Sequence, residues 1–161
     1  MTKNYTVGGL SAYILTQVGA NLAVTNVLNA SSTVDQLPSG LDSALQVTFG
    51  AAQGTGSDPV MVDALGNITF NEGGIYLFHG FANFERKGSS GGTVVMAFRA
   101  LLNGTQINST KNVDMKDTDT SIPYDLTTPI NATAGDVLTW EIMRDSSGVN
   151  NGGLYTHTLL G

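Results

Sequence analysis

Apolar and polar positions alternate with a period of two in short runs after residue 40. Leu45, Val47 and Phe49 alternate with Gln46 and Thr48, which predicts a strand over 45–49. Val60–Val62 and Ile68–Phe70 flank a turn around Gly66-Asn67. In Thr93–Leu102, the residues Val94, Met96, Phe98, Ala100 and Leu102 share a face. Asn103-Gly104 is a strong two-residue hairpin signal, and Thr105-Gln106-Ile107 is its return strand. Residues 109–121, rich in Asp, Lys, Ser and Thr, read as an exposed loop. Ile122, Tyr124, Leu126 and Thr128 alternate again. A strand over 137–143 carries the single tryptophan, Trp140, in parity with Leu138 and Ile142, so Trp140 is assigned to the core. Leu154–Leu160 closes the chain. With about eight strands at this spacing and no convincing helix among them, the pattern predicts an all-β antiparallel sandwich of two sheets.

The run Gly74–Glu85 breaks the one-sided rule. Tyr76, Phe78, Gly80, Ala82 and Phe84 fall on one side, and Ile75, Leu77, His79 and Phe81 on the other. A strand wetted on one face carries polar residues at every second position. This one is apolar on both sides as far as Asn83, so both faces are expected to be covered. The opposing sheet covers one face. A second copy of the chain is the simplest cover for the other, which makes Ile75, Leu77, His79 and Phe81 the candidate subunit interface.

The N-terminal segment has a different texture. From Asn4 to Val34 there is no charged residue. Leu10, Ile14, Val18 and Leu22 suit a helix starting near Ser11, whereas Leu22, Val24, Thr25 and Val27 suit a strand. Pro38-Ser39-Gly40 punctuates a boundary. The reading is an arm over residues 1–40, partly helical or extended, followed by a sandwich domain over 41–161. Gln17, Asn21 and Asn26 interrupt the apolar runs, so no clean secretory leader emerges. Those residues, with Gly8, Gly9 and Gly19, also argue against a membrane span.

Composition narrows the function. The 161 residues make one ordinary domain, and the absence of cysteine excludes disulfides and thiolate metal sites. Charged residues are 12%, against a usual ~25%, with Thr, Asn, Ser and Gly in their place. A net charge of −6 argues against a nucleic-acid partner and against an anionic membrane surface. Six Asn-x-Ser/Thr triplets, at Asn4, Asn29, Asn67, Asn103, Asn108 and Asn131, reflect the abundance of Asn and Thr more than glycosylation, which needs a secretory route.

Candidate chemistry is sparse. Gly88-Ser89-Ser90-Gly91-Gly92 matches Gly-x-Ser-x-Gly, but a nucleophile elbow needs a helix after it, and Thr93-Val94-Val95 predicts a strand. His79 and His157 have no local ligand spacing, although copies of one histidine could meet at a symmetry axis. Asp114, Asp117, Asp119 and Asp125 offer hard oxygen ligands for Ca²⁺, but no glycine comes after the acidic run as in an EF-hand, and a solvated loop is the better reading. No catalytic constellation emerges. The chain reads as a non-enzyme without cofactor or metal.

The motifs resemble the C1q/TNF-like jelly-roll superfamily over residues 42–161. Gly74-Ile75-Tyr76-Leu77-Phe78 is similar to that family's Gly-x-Tyr-x-Phe strand, and Asn103-Gly104 to its later hairpin. Ala134-Gly135-Asp136-Val137-Leu138 looks like the Gly-Asp turn into the penultimate strand, and Thr158-Leu159-Leu160 like the final buried strand. Ile68 and Gly80 stand where aromatic residues are usual. The resemblance implies a homotrimer built on strand faces. With its uncharged arm, the chain looks most like a bacteriophage capsid decoration (cement) protein. The expected partner is the major capsid protein on the virion exterior, contacted through Leu10, Tyr13, Ile14, Leu22 and Val24 of the arm. The alternatives are a receptor- or glycan-binding tip of a phage fibre and a secreted C1q-like ligand.

Overall fold

A computed structural model of the chain describes residues 28, 30–32, 34–86, 91–116, 121–149, 152–154 and 158–160. Twelve strands and no helix occur among them. They are β1 (Ala30–Ser32), β2 (Leu45–Gln46), β3 (Val60–Val62), β4 (Ile68–Phe70), β5 (Gly74–Arg86) and β6 (Val94–Leu102). After these come β7 (Thr105–Gln106), β8 (Lys111–Met115), β9 (Ser121–Ala132), β10 (Val137–Arg144), β11 (Gly152–Leu154) and β12 (Thr158–Leu160).

Two antiparallel sheets form. In the first, β1 pairs β12, β12 pairs β5, and β9 lies along the other edge of β5 from Gly74↔Ala132 to Glu85↔Ser121. Because β9 fills that whole edge, β11 shares with β12 the opposite edge of β5. The second sheet runs β3-β4-β10-β6, with β7 and β8 on the far edge of β6 and β2 beside β4 on β10. The first principal strand therefore neighbours the last, and chain neighbours β4, β5 and β6 alternate between sheets. This is the order of a jelly roll. The architecture expected from the sequence, an antiparallel jelly-roll sandwich, is the one observed.

The core lies between the sheets. From the first come Phe78, Phe84, Ile130 and Ala132; from the second come Phe70, Met96, Phe98, Ala100, Leu138, Trp140 and Ile142. Trp140 is 2% exposed and joins the two layers, its ring 4.6 Å from Phe78 across the sandwich and 5.1 Å from Phe98 on the neighbouring strand. Such pairs add to plain burial because the ring edges and faces carry opposite partial charge. An apolar cavity of about 30 Å³ remains beside Trp140, bordered by Phe49, Phe78, Gly80, Ala82 and Leu126. Gly80 has the inward parity of Phe78 but no side chain to fill the space.

Three expectations need correction. The boundary at residue 40 lies too late. Ala30–Ser32 is paired in the first sheet, and Ala30 is fully buried. A Cβ at Gly50, which has φ +83°, would overlap the Ser31 carbonyl oxygen. The Gln36 side chain is buried too, its Nε2 donating to Thr48 O and its Oε1 accepting from Thr48 N. A three-residue strand of small side chains shows no apolar period, so nothing in the sequence marks it as part of the sandwich. Second, residues 109–121 are not a plain loop, since β8 pairs β6 and buries Val113 and Met115. Two apolar residues among Lys111, Asn112 and Asp114 are too few to show a period. Third, the strand expected over 45–49 ends at Gln46, with one further bond from Val47 N to Trp140 O, although Val47 and Phe49 stay buried. The Gln36 amide takes both backbone groups of Thr48 in its place.

Candidate assembly surface

The pairing of β5 with β9 decides which face of each strand meets solvent. Tyr76, Phe78, Gly80 and Phe84 point inward with Ile122, Tyr124, Leu126 and Ile130. The opposite parity forms the outer face. There Ile75 lies opposite Asn131, Leu77 opposite Pro129, His79 opposite Thr127 and Phe81 opposite Asp125. Ile75 is 82% exposed and Leu77 67%, with His79 exposed and Phe81 half-buried. The four residues singled out from the sequence thus occupy one face of one strand, alongside β9. The inner face is the one that meets the opposing sheet. Large aliphatic side chains on such a face gain about 1.5–3 kcal/mol each when fully covered.

Polar groups interrupt this face at defined points. His79 Nδ1 and Thr127 Oγ1 are 2.9 Å apart, which sets the ring against β9. Pro123, Thr127, Pro129 and Asn131 are exposed around the apolar residues, as is the carboxylate-bearing Asp125. The two prolines have a further consequence. A proline nitrogen has no hydrogen to give, so Pro123 and Pro129 must sit at positions whose nitrogen points away from β5. Their parity (Ser121, Pro123, Asp125, Thr127, Pro129 and Asn131) therefore directs its nitrogens to the outer edge of β9. No strand pairs with that edge among the described residues. Two of its donors are missing, which obstructs addition of another strand. Contact through this sheet is thereby directed to its face.

The ends of the sandwich are fastened by side-chain contacts that the sequence pattern does not show. Arg86 Nη2 donates to the carbonyls of Gly92, Met115 and Lys116 at 2.8, 3.0 and 3.0 Å, tying the ends of β5, β6 and β8. At the other end, Asn103 and Asp136 join two turns. Hydrogen bonds from the Thr133 backbone and the Asn103 and Thr133 side chains hold the Asp136 carboxyl below its ordinary value. In the β3–β4 loop, burial pushes Asp63 up, but donors from Asn67, Leu65 and Gly66 outweigh it and the net shift is downward.

The other candidates separate. Asp114 lies on β8 in the second sheet and Asp125 on the outer face of the first, so they do not converge. Asp117, Asp119 and His157 lie outside the described residues, as do Gly88, Ser89 and Ser90 and the arm positions Leu10, Tyr13, Ile14, Leu22 and Val24. Among the described residues no three His, Asp or Glu side chains are placed to hold a metal ion. The element after Thr93 is the strand β6 and not the helix that a nucleophile elbow needs.

No protein-family model matches the sequence, and no curated protein sequence does. Solved structures do match in fold. The PRD1 vertex protein P5 aligns with a TM-score of 0.52 at 13% identity, over 86% of this chain and 73% of that one. Eiger TNF from S. frugiperda aligns at 0.40 and 12% identity, over 83% of this chain and 90% of that one. A family 35 carbohydrate binding module from Clostridium thermocellum aligns at 0.36 and 11% identity, over 82% and 90%. At 13% identity, what this chain shares with the vertex protein is the fold.

Proposed function

We propose that this chain is a structural protein of a virion, a homotrimeric decoration protein that binds the major capsid protein on the capsid exterior and stabilises the shell. The observation that carries the reading is the outer face of β5, where Ile75 and Leu77 stand 82% and 67% exposed. A second copy removes that apolar surface from water, and the blocked edge of β9 favours face contact over strand addition. The number three comes from the resemblance of the strand motifs to C1q/TNF-like domains. The jelly roll shared with a virion vertex protein supports the assignment to a particle.

In this reading Ile75, Leu77, His79 and Phe81 form the subunit contact, and Leu10, Tyr13, Ile14, Leu22 and Val24 lie against the capsid. A segment without charges avoids the desolvation cost that buried ions carry at a dry interface. Binding only the assembled shell stabilises it by mass action. Light scattering of the full chain tests the first half. The expected mass is about three times 16.8 kDa, falling to one copy in Leu77→Asp with an unchanged circular dichroism spectrum. A monomeric wild type at micromolar concentration overturns it. Cryo-electron microscopy of the particle carrying the protein tests the second half: threefold jelly-roll density outside the shell supports it, and a bare outer shell refutes it.

A further inference from the structure

Asn103-Gly104 is the pair of residues most prone to spontaneous deamidation, because glycine leaves the attacking nitrogen uncrowded. A Cβ at Gly104 would meet nothing within 4 Å, so the turn is open to water. Yet the Asn103 side chain is held at both ends. Its Nδ2 donates to Asp136 Oδ1 at 2.8 Å, and its Oδ1 accepts from Val137 N at 2.9 Å. Both partners belong to the start of β10 and the turn before it, not to the Asn103 hairpin.

We propose that Asn103 is a deamidation site whose rate is set by Asp136, and that reaction there loosens this end of the sandwich irreversibly. In the reaction hydroxide removes the Gly104 amide proton. The nitrogen attacks Asn103 Cγ, the Cγ–Nδ2 bond breaks and ammonia leaves a cyclic imide. Water opens the imide to aspartate or isoaspartate. To bring Cγ onto the Gly104 nitrogen, the side chain must leave Asp136 and the Val137 amide. The folded turn therefore slows the attack. Both products lose the amide donor, and aspartate puts a carboxylate in its place facing Asp136, so that two like charges repel where a hydrogen bond had been. Isoaspartate also lengthens the backbone of a two-residue turn. Asp136 acts as a positioning residue; it takes no part in the bond changes.

The full-length protein is incubated at mildly alkaline pH and its peptides tracked by mass spectrometry. A second Asn-Gly pair, Asn151-Gly152, supplies an internal reference. In denaturant the two pairs should react at similar rates. In the folded protein Asn103 should react on the order of tenfold more slowly than in denaturant, the effect of holding both ends of its amide. Asp136→Ala should return most of that rate at Asn103 while leaving Asn151 unchanged. Thr133→Val removes a hydroxyl bond to Asp136 but spares the Asn103 contact, so it should accelerate Asn103 far less. Should Asp136→Ala fail to fold, Asp136→Asn retains an acceptor oxygen and should give a rate between those of the folded wild type and the denatured chain. Equal rates for Asn103 in folded and denatured wild type overturn the proposal. So does equal acceleration by Thr133→Val and Asp136→Ala, or an Asp136→Asn rate equal to that of the denatured chain.

Discussion

Asn103 Nδ2 donates to Asp136 Oδ1 at 2.8 Å, across 33 residues of sequence, and fastens the β6–β7 turn to the β9–β10 turn. Asn103 has φ 51° and Gly104 φ 76°, the left-handed pair that a tight hairpin requires. Asn103 N also donates to Val137 O, and Val137 N returns a bond to Asn103 Oδ1. Asp136 in turn accepts from Thr133 N and Oγ1. One asparagine and one aspartate thus hold together the ends of four strands.

This arrangement makes stability depend on pH in a defined direction. The folded Asp136 carboxyl lies below its ordinary value of 3.8. A group depressed on folding adds stability that is fully present above the unfolded value and is lost as pH falls through the folded value. Urea midpoints of wild type and Asp136→Asn should therefore differ at neutral pH and converge below the ordinary carboxylate range. A gap that stays constant into strong acid would show that the charge contributes nothing.

Trp140→Ala should cost about 3–5 kcal/mol, because it removes the ring that joins Phe78 to Phe98 and leaves a large void between the sheets. Chemical denaturation at neutral pH measures this. A loss under about 1 kcal/mol would be that of a surface substitution and would contradict the packing described.

Gly80→Ala should act in the opposite sense. The added methyl enters the cavity of about 30 Å³, and alanine loses less backbone freedom than glycine on entering a strand. The gain expected is about 0.5–1 kcal/mol, read as a higher thermal midpoint. A lower midpoint would mean that the cavity wall closes on the new methyl and strains the sheet.

Much of the fold is legible in the chain because the long strands carry enough apolar positions to declare a period. β5, β6 and β10 are of this kind, and so is the hairpin that Asn103-Gly104 demands. The outer face of β5 is legible for the same reason, since Ile75 and Leu77 break the expected alternation. What stays hidden is built from few or small residues. β1 is three residues long, and β8 offers only Val113 and Met115. Contacts between distant side chains, such as Gln36 with the Thr48 backbone or Arg86 with three carbonyls, leave no local pattern. Their geometry exists only once the sheets have closed.

The outer edge of β9 owes its protection to two prolines. Pro123 and Pro129 lie opposite Asn83 and Leu77, at positions whose nitrogens face away from β5. Replacing them with threonine restores two donors to a twelve-residue edge and adds β-branched side chains that favour extended backbone. The folded protomer should keep every ladder bond, since neither nitrogen can serve the β5–β9 ladder, and lose only the about 0.4–1 kcal/mol by which each proline restricts the unfolded chain. The cost should appear between molecules. Pro123→Thr/Pro129→Thr should aggregate at lower protein concentration than wild type, with growth of a β signal and of thioflavin binding. Adding Asp at position 127 of the same edge, as Thr127→Asp, should suppress that aggregation by placing a second carboxylate beside Asp125. If the double variant stays as dispersed as wild type, the prolines are not what protects the edge. If it gains about 1 kcal/mol or more as a protomer, a restored donor has joined the β5–β9 ladder and the assignment of the open edge is wrong.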